Sequence, residues 1–203
     1  MTAKHALTSK SRLAAWGDFN GDGRLDLLSF DGNALTLLTQ KADGTLTPKP
    51  LDVEIKGGVL SLSSLDVGAG AKAGVLMGTK SWPMLLIPKE GGFAVVPVGS
   101  GEFSGKGLGA GGACLVADFD GDGIVDIVQV FADAGLFYKG TSPGAFAAPV
   151  KNAVCAGAGV YGSCLGDFDE DGLQDIFFAG DLRNRLFQNL GGGKFLDMMG
   201  YTG

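Results

Sequence analysis

Apolar residues in this chain fall in short blocks closed off by glycine and aspartate, and nowhere at the three-to-four spacing of an amphipathic helix. The blocks keep a fixed order. A short strand ("RLAAWGDF", "VLSLSSLDV", "ACLVADF", "SCLGDF") leads into a loop, and a strongly apolar strand follows it ("DLLSF", "DIVQVF", "DIFFAG"). A third strand comes next ("ALTLLTQ", "PMLLIP", "GLFYKG", "RLFQNL"), then a glycine turn, then a last strand ("TLTPKPL", "FAVVPV", "AFAAPV", "KFLDMM").

That order is a repeat. The Asp-rich loops begin at Asp18, Asp118 and Asp167, spaced by 100 and 49 residues, so a further copy is due near residue 67. "LDVGAGAKAGVLMG" stands there, with Asp66 in the first slot and Gly68, Gly70 and Gly74 where the other copies carry oxygen. The turn glycines Gly44, Gly92, Gly144 and Gly193 each lie 26 residues after the leading Asp of their copy. Four repeats result, at roughly 12–57, 58–106, 107–156 and 157–203. Four short strands per repeat, glycine turns and no helical period predict an all-β fold, a β-propeller of four-stranded blades. A β-solenoid fits less well, since its repeats are usually shorter.

Composition adds constraint. The 203 residues suffice for one ordinary domain, and 36 glycines without a collagen period agree with many tight turns. A net charge of −6 argues against nucleic acid or an anionic membrane surface as partner. No apolar run approaches a membrane span, and "MTAKHALTSKSRLAAW" has no secretory core. Cys114, Cys155 and Cys164 leave at least one thiol unpaired; Cys155 and Cys164 either bridge a loop or stay free.

The candidate chemistry lies in the three intact loops, "GDFNGDGRLDLL", "ADFDGDGIVDIV" and "GDFDEDGLQDIF". Oxygen side chains stand at loop positions 1, 3, 5 and 9: Asp18, Asn20, Asp22 and Asp26; Asp118, Asp120, Asp122 and Asp126; Asp167, Asp169, Asp171 and Asp175. The seventh-position carbonyls of Arg24, Ile124 and Leu173 are expected to join them, as in other calcium loops. An all-oxygen set without His or Cys selects Ca²⁺ over zinc or copper, and a compact many-ligand cage disfavours Mg²⁺. Solvated Asp-Gly turns would explain one such segment, but not three in fixed register. Three ions would bring the formal charge of −6 to about neutral. Position 12 is Ser29, Gln129 or Phe178 and never Glu, so these are not EF-hands.

These segments, with "NRLFQNLGGGKF", resemble the FG-GAP or VCBS repeats of integrin α-subunit propellers and many secreted bacterial proteins. The resemblance covers essentially the whole chain. It implies a calcium-binding propeller used for adhesion or ligand binding, commonly extracellular or at the cell surface, with seven blades the familiar count. The second repeat departs from the motif, and Glu170 replaces the loop glycine seen at Gly21 and Gly121.

The expected role is a non-enzymatic module for a protein or glycan ligand, with structural calcium in repeats 1, 3 and 4. The alternative is the propeller portion of a carbohydrate-active enzyme of the polysaccharide-lyase kind, or a lectin. The single histidine, His5, leaves no base for nucleophilic catalysis. "GLGAGG" (Gly107 to Gly112) and "GAGVYG" (Gly157 to Gly162) spell a dinucleotide motif but precede strands, not helices. Trp16, Trp82, Tyr138 and Tyr161 could stack on sugars, although packing is the commoner use of blade aromatics. Four blades either close on themselves or form an arc that belongs to a larger ring or associates; the second is our expectation.

Overall fold

The strongly apolar runs become central strands, covered on both faces in all but the last blade, as continuous rather than alternating hydrophobicity requires. In the computed structural model, which describes residues 10–55, 58–99, 107–155, 157, 160–180 and 183–201, they are the second strands of four four-stranded antiparallel sheets. Blade 1 holds β1 (Leu13–Gly17), β2 (Asp26–Phe30), β3 (Leu35–Gln40) and β4 (Leu46–Pro50). Blade 2 holds β5 (Val59–Ala69), β6 (Lys72–Thr79), β7 (Met84–Lys89) and β8 (Gly92–Pro97). Blade 3 holds β9 (Gly111–Ala117), β10 (Asp126–Phe131) and β11 (Gly135–Tyr138). A small hairpin, β12 (Gly140–Ser142) with β13 (Ala145–Phe146), precedes its outer strand β14 (Val150–Asn152). Blade 4 holds β15 (Val160–Gly166), β16 (Asp175–Gly180), β17 (Arg185–Asn189) and β18 (Phe195–Asp197), and one 3₁₀ turn, Met198–Tyr201, follows. These sheets are arranged as propeller blades.

Two expectations are corrected. "AFAAPV" is not the outer strand of blade 3: Ala145–Phe146 folds back on Gly140–Ser142, and Val150–Asn152 pairs with β11 instead. In blade 2 the turn glycine at positive φ is Gly91 (78°) and not Gly92, because a two-residue turn joins Lys89 to Gly92. The cysteines are free, so the bridged alternative for Cys155 and Cys164 falls.

Three core clusters fill the junctions between consecutive blades. Leu28, Phe30 and Leu37 of blade 1 meet Val75, Met77 and Phe93 of blade 2. Leu76 and Leu85 of blade 2 meet Ile127, Leu136 and Tyr138 of blade 3. Phe119, Val128 and Phe137 of blade 3 meet Ile176, Phe178, Phe187 and Phe195 of blade 4. Register dictates this sharing, because neighbouring strand residues point to opposite faces. At the second junction, blades 2 and 3 approach so closely that a Cβ at Gly112 would lie 2.0 Å from the Thr79 carbonyl oxygen. Only glycine fits. Buried Gln129 closes the same junction: its Nε2 donates to the Thr79 and Ser81 carbonyls at 3.0 and 2.6 Å, and its Oε1 accepts from the Tyr138 hydroxyl at 2.8 Å.

Candidate metal centres

Each intact loop links the first strand of its blade to the second, and its first aspartate organises the turn. Asp18 Oδ1 accepts from the N–H groups of Gly21 and Asp22 at 2.7 and 3.1 Å, and Oδ2 from that of Gly23 at 2.7 Å. Asp118 makes the same three contacts with Gly121, Asp122 and Gly123, and Asp167 holds Asp171 and Gly172. Converging N–H groups favour the charged form. Burial alone would raise the Asp18 pKa, but four backbone donors outweigh it and lower it.

The ninth-position aspartates are almost wholly buried and have both oxygens engaged. Asp26 accepts from Gln40 N–H at 2.8 Å and Phe19 N–H at 3.3 Å. Asp126 accepts from Gly140 at 2.7 Å and Phe119 at 3.0 Å; Asp175 accepts from Asn189 at 2.7 Å and Phe168 at 2.9 Å. One carboxylate thus ties the loop, the second strand and the end of the third. Burial raises the pKa of Asp26 and Asp126 against these hydrogen bonds, and neighbouring aspartates add to the rise.

Carboxylate oxygens converge in two of the loops. Those of Asp118, Asp120 and Asp126, and again of Asp167, Asp169 and Asp175, lie within 4.8 Å of one another. Blade 1 has Asn20 at the third position, an amide oxygen that accepts from Asp22 N–H at 2.9 Å, so its loop offers one charge fewer. The fifth-position carboxylates are outside those groups. Asp22, Asp122 and Asp171 accept instead from the N–H groups of Arg24, Ile124 and Leu173 at 3.0, 2.9 and 2.8 Å. A hard, all-oxygen donor set fits Ca²⁺, with Asp118, Asp120 and Asp126, and Asp167, Asp169 and Asp175, as the residues that would hold it.

Sequence reasoning missed the side-chain donors above these loops. Lys139 Nζ pairs with Asp120 and with Asp122, the latter at 2.7 Å, and lowers the Asp122 pKa. Arg24 pairs with Asp22, and Gln188 Nε2 donates to Asp169 at 2.6 Å. Lys139 and Gln188 each directly precede the residue whose N–H caps the ninth-position aspartate, Gly140 or Asn189. Knowing that N–H contact would have pointed to them.

Blade 2 shows what happens without ligands. Its loop is gone: β5 and β6 run on past the point where the other blades open, pairing Asp66 with Ala73 and Ala69 with Lys72. The alignment nevertheless holds, since Leu65 pairs Gly74 as Gly17 pairs Asp26. The shortened hairpin supports its neighbour, as Ala73 N–H donates to the Asp18 carbonyl at 2.8 Å.

Other candidates resolve simply. Tyr138 is buried and Trp82 packs against the second core cluster, whereas Trp16 is exposed. The Tyr161 side chain and His5 lie outside the described residues. "GLGAGG" and "GAGVYG" run into β9 and β15, both strands. Among the described residues, no helix is long and apolar enough to cross a membrane.

A family model for the FG-GAP-like repeat matches residues 18–68 and 118–178. Among solved structures, the chain is similar to an Agrocybe aegerita lectin described as recognising non-reducing terminal N-acetylglucosamine, with TM-score 0.67 and 21% identity over 89% of this chain. The chain spans 49% of that lectin's length. A Photorhabdus luminescens Tc holotoxin pore aligns with 92% of this chain and 9% of its own, at TM-score 0.49 and 17% identity. No curated protein matches.

Proposed function

The chain belongs to the FG-GAP-like repeat family, and from that premise we propose that it is a non-enzymatic, calcium-binding propeller module that binds a glycan or protein ligand outside the cell. One observation carries the calcium reading. Carboxylate triads recur at the same loop positions of blades 3 and 4, while blade 2, which lacks the oxygens, has also closed its loop into a hairpin. Calcium there is structural: it neutralises clustered carboxylates and fixes the connection between the first two strands of blades 1, 3 and 4.

Glycan is the first ligand class to screen. The fold is one that a sugar-recognising lectin uses. A hollow of about 320 Å³ beside β6 to β8 sets Asp52, Glu54 and Thr79 among Met77, Met84 and Phe93, the mixture of polar anchors and apolar wall that small-ligand sites employ. A glycan and protein array probed with and without calcium tests the reading. Saturable binding without turnover supports it; release of a shortened glycan would place the chain with carbohydrate-active enzymes instead.

A further inference from the structure

One register rule governs every blade junction in the chain. The residue after the ninth loop position points to the preceding blade (Val75, Ile127 and Ile176), and the next residue points to the following one (Leu28, Leu76 and Val128). The aromatic at loop position 2 follows the second pattern. Phe19 meets Phe93 edge-on with ring centroids 6.1 Å apart, and Phe119 meets Phe195 at 5.7 Å.

Blade 4 presents the same forward-facing set, here partly exposed. Phe168, which corresponds to Phe19 (4% exposed) and Phe119 (0%), is 48% exposed. Phe177, which corresponds to the fully buried Leu28, Leu76 and Val128, is 36% exposed. With Cys164 and Leu186 they line a shallow, mostly apolar hollow of about 300 Å³, and Leu196, 37% exposed, extends the same face. Blade 1 carries the complementary backward-facing set, in which Leu27, the counterpart of Val75, Ile127 and Ile176, is already buried and the flanking Trp16 and Leu25 are not. Trp16 occupies the place of Val116 and Leu165, and Leu25 that of Val125; those residues pack against the preceding blade. Trp16 and Leu25 are 53% and 57% exposed. None of the three core clusters draws on both blade 1 and blade 4.

We propose that the forward face of blade 4 docks on the backward face of blade 1 of a second copy, so that two chains close one eight-bladed ring. The occupant follows from the pattern, because a forward face takes a backward face at all three internal junctions, and blade 1 supplies the one left over among the described blades. Two copies of this chain pair both faces left open among the described blades, since each junction uses one of each kind, and a two-fold axis relates the two new junctions. Eight blades fall within the range propellers use. Apolar faces of this kind are otherwise rare on soluble monomers.

Sedimentation equilibrium of the 203-residue chain in calcium tests this, with Trp16→Arg, Phe177→Arg and Leu196→Arg variants checked for fold by circular dichroism. Wild type should sediment at twice the 20.7 kDa monomer mass, and each variant should lose at least tenfold in dimer affinity. Leu196 lies away from the metal loop, so its variant separates a lost interface from a disturbed site. Mixing Trp16→Arg with Phe177→Arg chains leaves one intact junction per pair and should give heterodimers that neither variant forms alone. A monomeric wild type, open-ended oligomers, or a dimer indifferent to all three substitutions would overturn the proposal.

Discussion

The carboxylate of Asp126 accepts a hydrogen bond from the backbone N–H of Phe119 at 3.0 Å, and the same bond recurs between Asp26 and Phe19 and between Asp175 and Phe168. A residue expected to be a ligand is therefore also a structural tie. It joins the metal loop to the aromatic that fills the next junction, so loop chemistry and blade packing depend on one side chain.

Asp126→Asn should destabilise even the metal-free protein. Its two oxygens both accept backbone N–H groups, and the amide can replace only one, which leaves a buried donor facing a donor. The expected cost is about 1–3 kcal/mol. Asp122→Asn, at a more exposed position, should cost less than about 0.5 kcal/mol without metal. Urea unfolding of both variants in chelator checks the contrast; equal losses would contradict it.

Glu170→Gly should stabilise blade 4. Glu170 has φ of 60°, where Gly21 and Gly121 stand at 80° and 78°, and it is the one non-glycine residue at positive φ among those described. A side chain there costs about 1–2 kcal/mol, partly offset by the entropy glycine loses on folding, so a gain of about 0.5–1 kcal/mol is expected. A lower melting temperature would show that the Glu170 side chain makes a compensating contact.

Phe119→Ala should cost about 3–5 kcal/mol, because the ring is fully buried between blades 3 and 4 and packs edge-on against Phe195. Thermal unfolding measures it. A loss below about 1 kcal/mol would mean that the junction closes over the gap.

Above the usual aspartate value of 3.8, the metal-free protein should weaken as pH rises. Burial holds Asp26 and Asp126 above the usual aspartate value of 3.8, so their contribution is full below that value and is lost as pH climbs through their folded pKa. Asp18 behaves oppositely: burial raises its pKa, its backbone donors outweigh this, and its contribution, like those of Asp31, Asp43 and Asp122, which hydrogen bonds also lower, is lost only as pH falls below 3.8. Calcium, which binds the ionised form, should abolish the decline above 3.8. Urea midpoints across that range, with and without calcium, decide; a metal-free curve that rises steadily towards neutral pH would contradict the account.

The repeat, the strand order and the loop oxygens were legible because each depends on nearby residues. Positions 1, 3 and 9 converge in blades 3 and 4, and the missing oxygens of blade 2 were visible as Gly68, Gly70 and Gly74. What escaped depends on partners distant in sequence. Ala145 and Phe146 carry strand character, but they pair with Gly140–Ser142 and leave the blade edge to Val150–Asn152, a choice no local pattern encodes. The extension of β5 and β6 sets Asp66 against Ala73 and Ala69 against Lys72, pairs that the loop alignment alone does not specify. Lys139 reaches Asp120 across 19 residues, a contact that follows from the pairing of β10 with β11.

Calcium content tests the central claim most directly. Folded protein equilibrated with calcium, freed of unbound ion by dialysis and analysed by atomic emission, should hold three ions per chain. Substituting Asp118 and Asp120 together by Asn should lower that to two, and substituting Asp66 should change nothing. Chelation should also lower stability by about 2.7 kcal/mol for each site that had been at a hundredfold excess over its Kd. Chains that retain no calcium, or that bind a fourth ion at Asp66, would contradict the account.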